Sequence, residues 1–345
     1  MGRFAASGDE EDSNSMRRAQ SIAIAVGIAG ASAITATAAF AGLLIGEARF
    51  AQHRVEERTP VDDPPTGNGV WGNGTGKPII MAMMGDSSAV GLGCDEVEET
   101  PGVLIAAGLS RLSGRPVRLV RVAISGSESK NLDSQVDDIL PLRPDLAVVM
   151  IGANDVKSRT RAEVAASALG NAVFRLRQND IEVVVGTCPD LGTVRPIPQP
   201  LRSLARRWSR DLAAAQVVAV VEAGGRTVSL GGSLGPVFAQ YHEMWSDDGF
   251  HPSAAGYAAA ASFLLPSAAD ALGYWPISRE QINSRMKARR GTIAAAAASA
   301  SAQTGAEVIG DSRGSLNGTT RMWGTIRRLL PIPIPVPSPS TDHDE

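Results

Sequence analysis

Cysteine is scarce in this sequence, since only Cys94 and Cys188 occur among 345 residues. Two cysteines cannot build a disulfide framework, and the chain has neither a CxxC pair nor a Cys/His cluster with zinc-ligand spacing. Disulfide-rich scaffolds and zinc fingers are therefore excluded. Both cysteines follow predicted strands, so one bridge between them is conceivable, although two unrelated thiols is the simpler interpretation.

Basic charge and aromatic side chains are also limited. The formal net charge is −3, and aromatic residues make up 4% of the chain. Because nucleic-acid binding depends on a basic face, this balance argues against nucleic acid as the main partner. The hydrophobic content of 43% supports a sizeable core, and the length allows one large domain with additional segments.

Charged residues are absent from positions 19–46, a run of 28 residues. A helix of that length exceeds the roughly 30 Å apolar core of a bilayer. We therefore predict a transmembrane helix or signal anchor over 19–46, after a disordered leader over 1–18. A cleaved signal peptide followed by secretion, and a buried helix, are the alternatives. Arg17 and Arg18, directly before the run, favour a membrane-anchored protein whose catalytic domain is extracytoplasmic.

The rest of the sequence divides by composition into three parts. Residues 47–77 are predicted to be a linker, residues 78–275 a folded domain, and residues 276–345 a basic, Ala/Ser- and Pro-rich tail that is mostly disordered. Within the domain, helix-like stretches separate five strand-like apolar runs, at 79–84, 117–123, 146–151, 181–186 and 226–230. This alternation predicts an α/β fold, a three-layer α/β/α sandwich around a five-stranded parallel, flavodoxin-like sheet.

Three short motifs follow predicted strands and a fourth precedes the last predicted helix. They are Gly85-Asp86-Ser87, Ser125-Gly126, Gly152-Ala153-Asn154-Asp155 and Asp248-Gly249-Phe250-His251. Ligands of parallel sheets bind beyond the carboxyl ends of the strands, so we expect these motifs to converge. A nucleophilic serine needs a base and donors for an oxyanion, and the motifs contain an imidazole, an amide and a glycine N–H.

Each motif also has a purely structural interpretation. Ser87 fits a turn or a helix N-cap, Gly126 fits the end of a strand, and Asn154 fits an Asx turn or a cap. We expect Asp86 to fix its turn and Asp155 to be structural.

The four motifs, in this order, resemble the SGNH hydrolases, also known as GDSL-type esterases and lipases. The resemblance implies that Ser87 is the nucleophile, that His251 is the general base and acid, and that Asp248 orients His251. It also implies an oxyanion hole formed by the N–H groups of Ser87 and Gly126 and the side-chain amide of Asn154. The DxxH spacing favours Asp248 over its neighbour Asp247.

Two positions depart from the family pattern. Ser88 replaces the usual leucine after the nucleophile, and Arg121-Val122-Ala123 lacks the common asparagine upstream of the second motif. Neither change removes a reacting group. A second Gly-Asp-Ser tripeptide, at 310–312, lies in a polar, Gly/Ser-rich region and is interpreted as chance.

The function implied by the resemblance is a serine carboxyl-ester hydrolase of the esterase or lipase type, acting through an acyl-enzyme without cofactor or metal. Its expected partners are a small-molecule, lipid or glycan ester and, through residues 19–46, a membrane. O-deacetylation of cell-envelope polysaccharide, thioester cleavage and lysophospholipid cleavage are alternative activities. A non-catalytic envelope protein that binds glycan or lipid is an alternative of another class.

Overall fold

The computed structural model describes residues 39–59 and 63–274, and beyond them the strands at 289–292, 306–310 and 317–322. The chain has two compact units, Met1–Gln52 and His53–Glu345. In the first unit the described residues, 39–52, are helical. Among all described residues, no helix combines the length and apolar character needed to cross a bilayer. The predicted leader over 1–18, and residues 19–38 of the predicted span, lie outside the described residues.

The second unit is built on a twisted sheet whose strands are joined mainly by helices. Its strands are β1 (Gly69–Trp71), β2 (Ile79–Gly85), β3 (Val117–Arg121), β4 (Leu146–Met150), β5 (Glu182–Gly186), β6 (Arg226–Val228), β7 (Arg289–Thr292), β8 (Ala306–Gly310) and β9 (Asn317–Met322). Its helices of four or more residues are α1 (Ser87–Val90), α2 (Pro101–Ser113), α3 (Leu132–Ile139), α4 (Ala153–Lys157), α5 (Ala162–Arg177), α6 (Leu201–Glu222), α7 (Leu230–Gln240) and α8 (Ala254–Ala271).

The strand order is β1-β3-β2-β4-β5-β6-β8-β9-β7. The five predicted strands correspond to β2 to β6, and each pairs in parallel with its neighbours among them, as predicted. The predicted number of five strands is wrong, because β1 adds a sixth within residues 63–274. β1, placed in the predicted linker, pairs antiparallel with β3 at one edge.

At the other edge, β8 pairs antiparallel with β6 and continues into β9 and β7. These strands lie in the region predicted to be a mostly disordered tail, whose other residues lie outside the described part of the chain.

Successive residues of the central strands enter two different cores. In β2, Met81 and Met83 pack into a core with α2 and α8, whereas Ala82 and Met84 pack into a core with α3 and α5. All four are at most 1% exposed. Because both faces of the strand are covered, the sequence reads as a continuous apolar run, and each large buried side chain contributes about 1.5–3 kcal/mol.

The carboxyl ends of the parallel strands position the candidate site. Gly85 ends β2 with a φ of +131°, and a Cβ at this position would lie 1.9 Å from the carbonyl oxygen of Met150, the last residue of β4. Only glycine allows β2 to approach β4 so closely and turn at once into α1. Ser87 is therefore the first residue of a helix that begins directly at the sheet edge.

Candidate active site

Ser87, His251 and Asp248 form a continuous hydrogen-bonded chain. The hydroxyl oxygen of Ser87 lies 3.0 Å from Nε2 of His251, and Nδ1 of His251 lies 2.6 Å from Oδ2 of Asp248. The three residues are between 2% and 8% exposed. The fold therefore joins a hydroxyl, an imidazole and a carboxylate that are separated by up to 164 positions in the sequence.

The turn before Ser87 is fixed by Asp86. The Asp86 carboxylate accepts a hydrogen bond from the Ser88 N–H at 2.9 Å and caps α1, while the Asp86 N–H donates to the Met150 carbonyl at 3.1 Å. Burial raises the pKa of Asp86 from 3.8 to about 6, against the opposing hydrogen bonds from Ser88 and Gly152. This agrees with the prediction that Asp86 fixes the turn.

Asp248 lies in a tight loop that closes before α8. The Ser246 N–H donates to the His251 carbonyl at 2.9 Å, and Ser253 caps the helix by accepting from the Gly256 N–H. The prediction that the fourth motif directly precedes a helix is therefore confirmed. The neighbouring Asp247 is exposed, so the structure pairs His251 with Asp248.

The Asp248 carboxylate is almost fully enclosed by donors. Its Oδ1 accepts hydrogen bonds from the Ser246 hydroxyl and from the N–H groups of Phe250 and His251, at 2.7 to 2.9 Å. Burial raises the pKa of this carboxyl, but the hydrogen bond and charge of His251 and the two N–H donors outweigh burial and hold the pKa below its ordinary value. Asp248 is therefore the ionised partner of His251.

Gly126 and Asn154 lie on adjoining loops. The Asn154 side-chain amide donates to the carbonyl of Ser127 at 3.0 Å, which joins the start of α4 to the loop after β3. Gly126 has a φ of +82° and open space where a Cβ would stand. Within the described part of the chain, neither the Ser87 N–H nor the Gly126 N–H donates to another protein atom. Both groups are thus available to a ligand.

Asp155 also fixes the segment after β3. Its buried carboxylate accepts hydrogen bonds from both the N–H and the hydroxyl of Ser129, at 2.8 to 3.1 Å, and burial raises its pKa. The carboxylate is thus engaged in a structural contact with Ser129, in agreement with the structural role predicted for Asp155.

Two buried glutamines were not predicted as site residues. Gln135 holds both backbone groups of Gly85, accepting from its N–H at 2.8 Å and donating to its carbonyl at 2.9 Å. Gln216 joins the ends of β4 and β5 in the same way, donating to the Ile151 carbonyl and accepting from the Cys188 N–H. Both lie on helices, where the sequence gives no sign of such long-range contacts.

The two cysteines are free thiols, so the bridge considered from the sequence is not formed. Burial raises the pKa of the partly exposed Cys94 to about 12, with Glu99 and Asp95 adding to the shift. Burial raises the pKa of Cys188 as well. Neither thiol has the depressed pKa of a reactive nucleophile.

An apolar cavity of about 70 Å³ adjoins His251. The loop after β5 lines one side of this cavity and α7 lines another. The apolar side chains lining it include Leu191, Val194, Leu230, Leu234, Phe238 and Trp245. Phe238 and Trp245 meet edge to face, with centroids 4.8 Å apart. Among the described residues, no group of three or more His, Cys, Asp or Glu side chains could hold a metal ion.

Comparison with known sequences finds a matching protein family and a related esterase. A model of the GDSL-like lipase/acylhydrolase family matches residues 83–259. A GDSL-like esterase of Mycobacterium tuberculosis is 43% identical over 270 residues, which cover 74% of this chain and 85% of that protein.

Similar solved structures include two bacterial enzymes. A mutant of an acetyl-xylooligosaccharide esterase from Geobacillus has a TM-score of 0.44 and 18% identity, covering 60% of this chain and 99% of its own. A lipase/acylhydrolase from Enterococcus faecalis has a TM-score of 0.45 and 17% identity, covering 55% and 95%.

Proposed function

This chain belongs to the GDSL-like lipase/acylhydrolase family and is an ester-hydrolysing enzyme, and we propose that it acts through an acyl-enzyme formed on Ser87. The observation that carries the proposal is the pair of hydrogen bonds from Ser87 through His251 to Asp248. A serine hydroxyl is a weak nucleophile, and this arrangement supplies the base that activates it and the carboxylate that orients the base.

In the first half of the reaction, the hydroxyl oxygen of Ser87 bonds to the ester carbonyl carbon while Nε2 of His251 takes the hydroxyl proton. Collapse of the tetrahedral intermediate breaks the bond to the alcohol oxygen, which receives that proton from His251. In the second half, water repeats the sequence and releases the acid. Asp248 stays ionised throughout, because its pKa is held below the ordinary value.

The oxyanion of the intermediate would be bound by the N–H groups of Ser87 and Gly126 and by the Asn154 amide. The two backbone donors have no protein acceptor among the described residues. The bond from Asn154 to the Ser127 carbonyl uses one of the two amide hydrogens and fixes the direction of the other. Donors held in place before reaction stabilise developing charge without reorganisation.

The test of the nucleophile compares Ser87→Ala with Ser312→Ala. Both serines follow a Gly-Asp dipeptide, so the second variant is a matched control. We expect Ser87→Ala to lose hydrolysis of p-nitrophenyl acetate and labelling by a fluorophosphonate, and Ser312→Ala to retain both. A folded Ser87→Ala protein with unchanged turnover would exclude this mechanism.

For the substrate, we propose short acyl groups. The cavity beside His251 is apolar and has a volume of about 70 Å³, which favours a short acyl chain over a long one. Esters from acetate to decanoate, each offered with several alcohol parts, would test this. Highest kcat/KM on decanoate would contradict it.

The alcohol part of the substrate distinguishes O-deacetylation of envelope polysaccharide from thioester or lysophospholipid cleavage. A preference for short acyl groups favours deacetylation over lysophospholipid cleavage, since lysophospholipids carry long chains. Acetylated oligosaccharides, acetyl thioesters and lysophospholipids offered at equal concentration would rank the three. The highest rate on a lysophospholipid would reverse this order.

We also propose that residues 19–46 anchor the enzyme in a membrane, with the catalytic domain on the outer side. The support is the uncharged run of 28 residues after Arg17 and Arg18. A membrane-impermeant fluorophosphonate should label Ser87 equally on intact cells and in lysates. Labelling only in lysates would place the domain inside.

A further inference from the structure

The hydroxyl of Thr59 lies 3.0 Å from Oδ2 of Asp248, the same oxygen that contacts His251. Thr59 precedes the family-matched region, residues 83–259, by more than twenty positions. The sequence places it in the predicted linker. A residue outside the matched region therefore contacts the carboxylate on which the proposed mechanism depends.

The hydroxyl hydrogen of Thr59 has two acceptors in reach. The Val55 carbonyl lies 2.9 Å from the hydroxyl oxygen, but it already accepts the Thr59 N–H at 2.8 Å. The Asp248 side chain is 0% exposed and carries a negative charge. Hydrogen bonds to charged groups are roughly twice as strong as neutral ones. The hydroxyl hydrogen is therefore directed to Asp248.

The two oxygens of Asp248 differ in how they are held. Oδ1 accepts three hydrogen bonds from its own loop, whereas Oδ2 is contacted by His251 and Thr59. In the proposed reaction Nε2 of His251 gains and loses a proton while Nδ1–H remains, so Oδ2 has two donors throughout. The donor that does not belong to the reacting imidazole is Thr59. Without it, Oδ2 would be drawn toward the imidazole, which would tilt and lose its alignment with Ser87.

The described residues that follow Thr59, from Asp63 onward, also form hydrogen bonds with residues near the site. The Ser125 hydroxyl donates to Oδ1 of Asp63 at 2.6 Å, beside Gly126. The Arg121 guanidinium donates to the Pro64 carbonyl at 3.1 Å, and the Arg121 N–H donates to Oδ1 of Asn68 at 2.6 Å. This segment is held by specific side-chain contacts, unlike a linker.

We infer that Thr59 is a positioning residue for Asp248, so that the segment before the family-matched region completes the catalytic unit. The inference depends on the proposed roles of Ser87, His251 and Asp248. It assigns the hydroxyl of Thr59, and not merely its bulk, to the orientation of the carboxylate.

The test uses the full chain carrying Thr59→Val, Thr59→Ser or Thr66→Val. Valine keeps the shape of threonine and removes the hydroxyl, serine keeps the hydroxyl, and Thr66 is an exposed threonine of the same segment. Loss of one hydrogen bond to a charged group, worth about 1.5–3 kcal/mol, lowers a rate about 10- to 150-fold when the bond acts fully in the transition state. We expect kcat of Thr59→Val to fall by that factor with KM unchanged, and the other two variants to match wild type.

A proton NMR spectrum supplies a signature that a change in packing alone would not produce. With Thr59→Val, the hydrogen between His251 and Asp248 should resonate further downfield, because Oδ2 has lost its second donor. Thr59→Ser should restore the wild-type position. The spectrum also shows whether Thr59→Val is folded, and Thr59→Ser gives an independent answer if it is not.

Two results would overturn the inference. One is a Thr59→Val protein with wild-type kcat and an unmoved resonance. The other is equal loss of activity in Thr59→Ser and Thr59→Val, which would assign the effect to shape. Ser87→Ala separates this inference from the proposed function. If Ser87→Ala is inactive and Thr59→Val behaves like wild type, only the role of Thr59 is overturned. If Ser87→Ala is active, both the role of Thr59 and the proposed function are overturned.

Discussion

Replacing Gln135 by leucine would test how the turn before Ser87 is held. Gln135 is fully buried on α3 and bonds both backbone groups of Gly85, the residue at which β2 ends. Leucine has nearly the same volume and no polar atoms. The substitution therefore removes these two hydrogen bonds, and a longer one of 3.5 Å to the Ser127 hydroxyl, without leaving a large cavity.

The expected loss of stability follows from the partners that remain. The Gly85 N–H would be buried without an acceptor, which costs about 1–3 kcal/mol. The Gly85 carbonyl would retain the Ile124 N–H at 3.2 Å, so its loss is nearer the net value of one hydrogen bond, about 0.5–1.5 kcal/mol. Burying leucine instead of an amide offsets part of this. We expect the free energy of unfolding to fall by about 2–3 kcal/mol.

Urea denaturation monitored by circular dichroism measures this difference directly. Ser134→Ala is the matched control, because Ser134 is the exposed neighbour on the same helix and such surface changes stay within about 0.5 kcal/mol. The activity of Gln135→Leu should also fall, since Ser87 lies only two residues after Gly85 and depends on the same turn for its position. A loss of stability below about 1 kcal/mol would refute the claim that Gln135 holds this turn.

Three further outcomes are expected. Asn154→Ala should lower kcat on p-nitrophenyl acetate about 10²- to 10³-fold, as loss of an oxyanion donor does, and a smaller loss would argue against that role. Phe238→Ala should enlarge the apolar cavity and move the preferred acyl chain to greater length in kcat/KM, whereas an unchanged preference would place the acyl group elsewhere. The third concerns Asp86. Because burial raises its pKa from 3.8 to about 6, the folded state binds more protons than the unfolded state between these values. The stability contributed by Asp86 should therefore fall by roughly 2 kcal/mol as pH rises from about 4 to 6. Asp86→Asn keeps a capping oxygen and should make the decline in denaturation curves smaller by about that amount, and an identical decline would contradict the assignment.

The parallel strands were predictable because of how they are buried. Strands covered on both faces must be apolar at every position, so β2 and β4 appear in the sequence as continuous apolar runs. Ser87, the proposed nucleophile, and the DxxH motif stand out in the sequence for a different reason. Their residue types and spacing match a family pattern, and Asp248 bonds His251 within one short loop.

The edge strand β1 was not predictable from the same signals. It has three residues, Gly69–Trp71, and none of them is buried, so it shows neither an apolar run nor a clear alternation. Its position comes from partners far along the chain. It pairs with β3, and Asn68, directly before it, accepts the Arg121 N–H. A Gly/Asn-rich composition reads as linker because it does not reveal such partners.

The residues missed in the site share the same property. Gln135 reaches Gly85 across 50 positions, and Thr59 reaches Asp248 across 189. Neither contact has a local pattern, since an isolated glutamine on a helix or threonine in a polar segment is ordinary on a protein surface. The reacting groups follow from local motifs, whereas the groups that hold them follow only from the fold.

The placement of Thr59 follows from the number of donors that a buried carboxylate needs. A buried charge is tolerated only when its oxygens are hydrogen-bonded. The loop of Asp248 supplies three donors, the Ser246 hydroxyl and the N–H groups of Phe250 and His251, and all three reach Oδ1. Among the described residues, the donors to Oδ2 are the side chains of His251 and Thr59, and the segment of Thr59 also borders Gly126 through Asp63 and Ser125. Thr59 and Asp63 both belong to the compact unit His53–Glu345, which also contains Asp248.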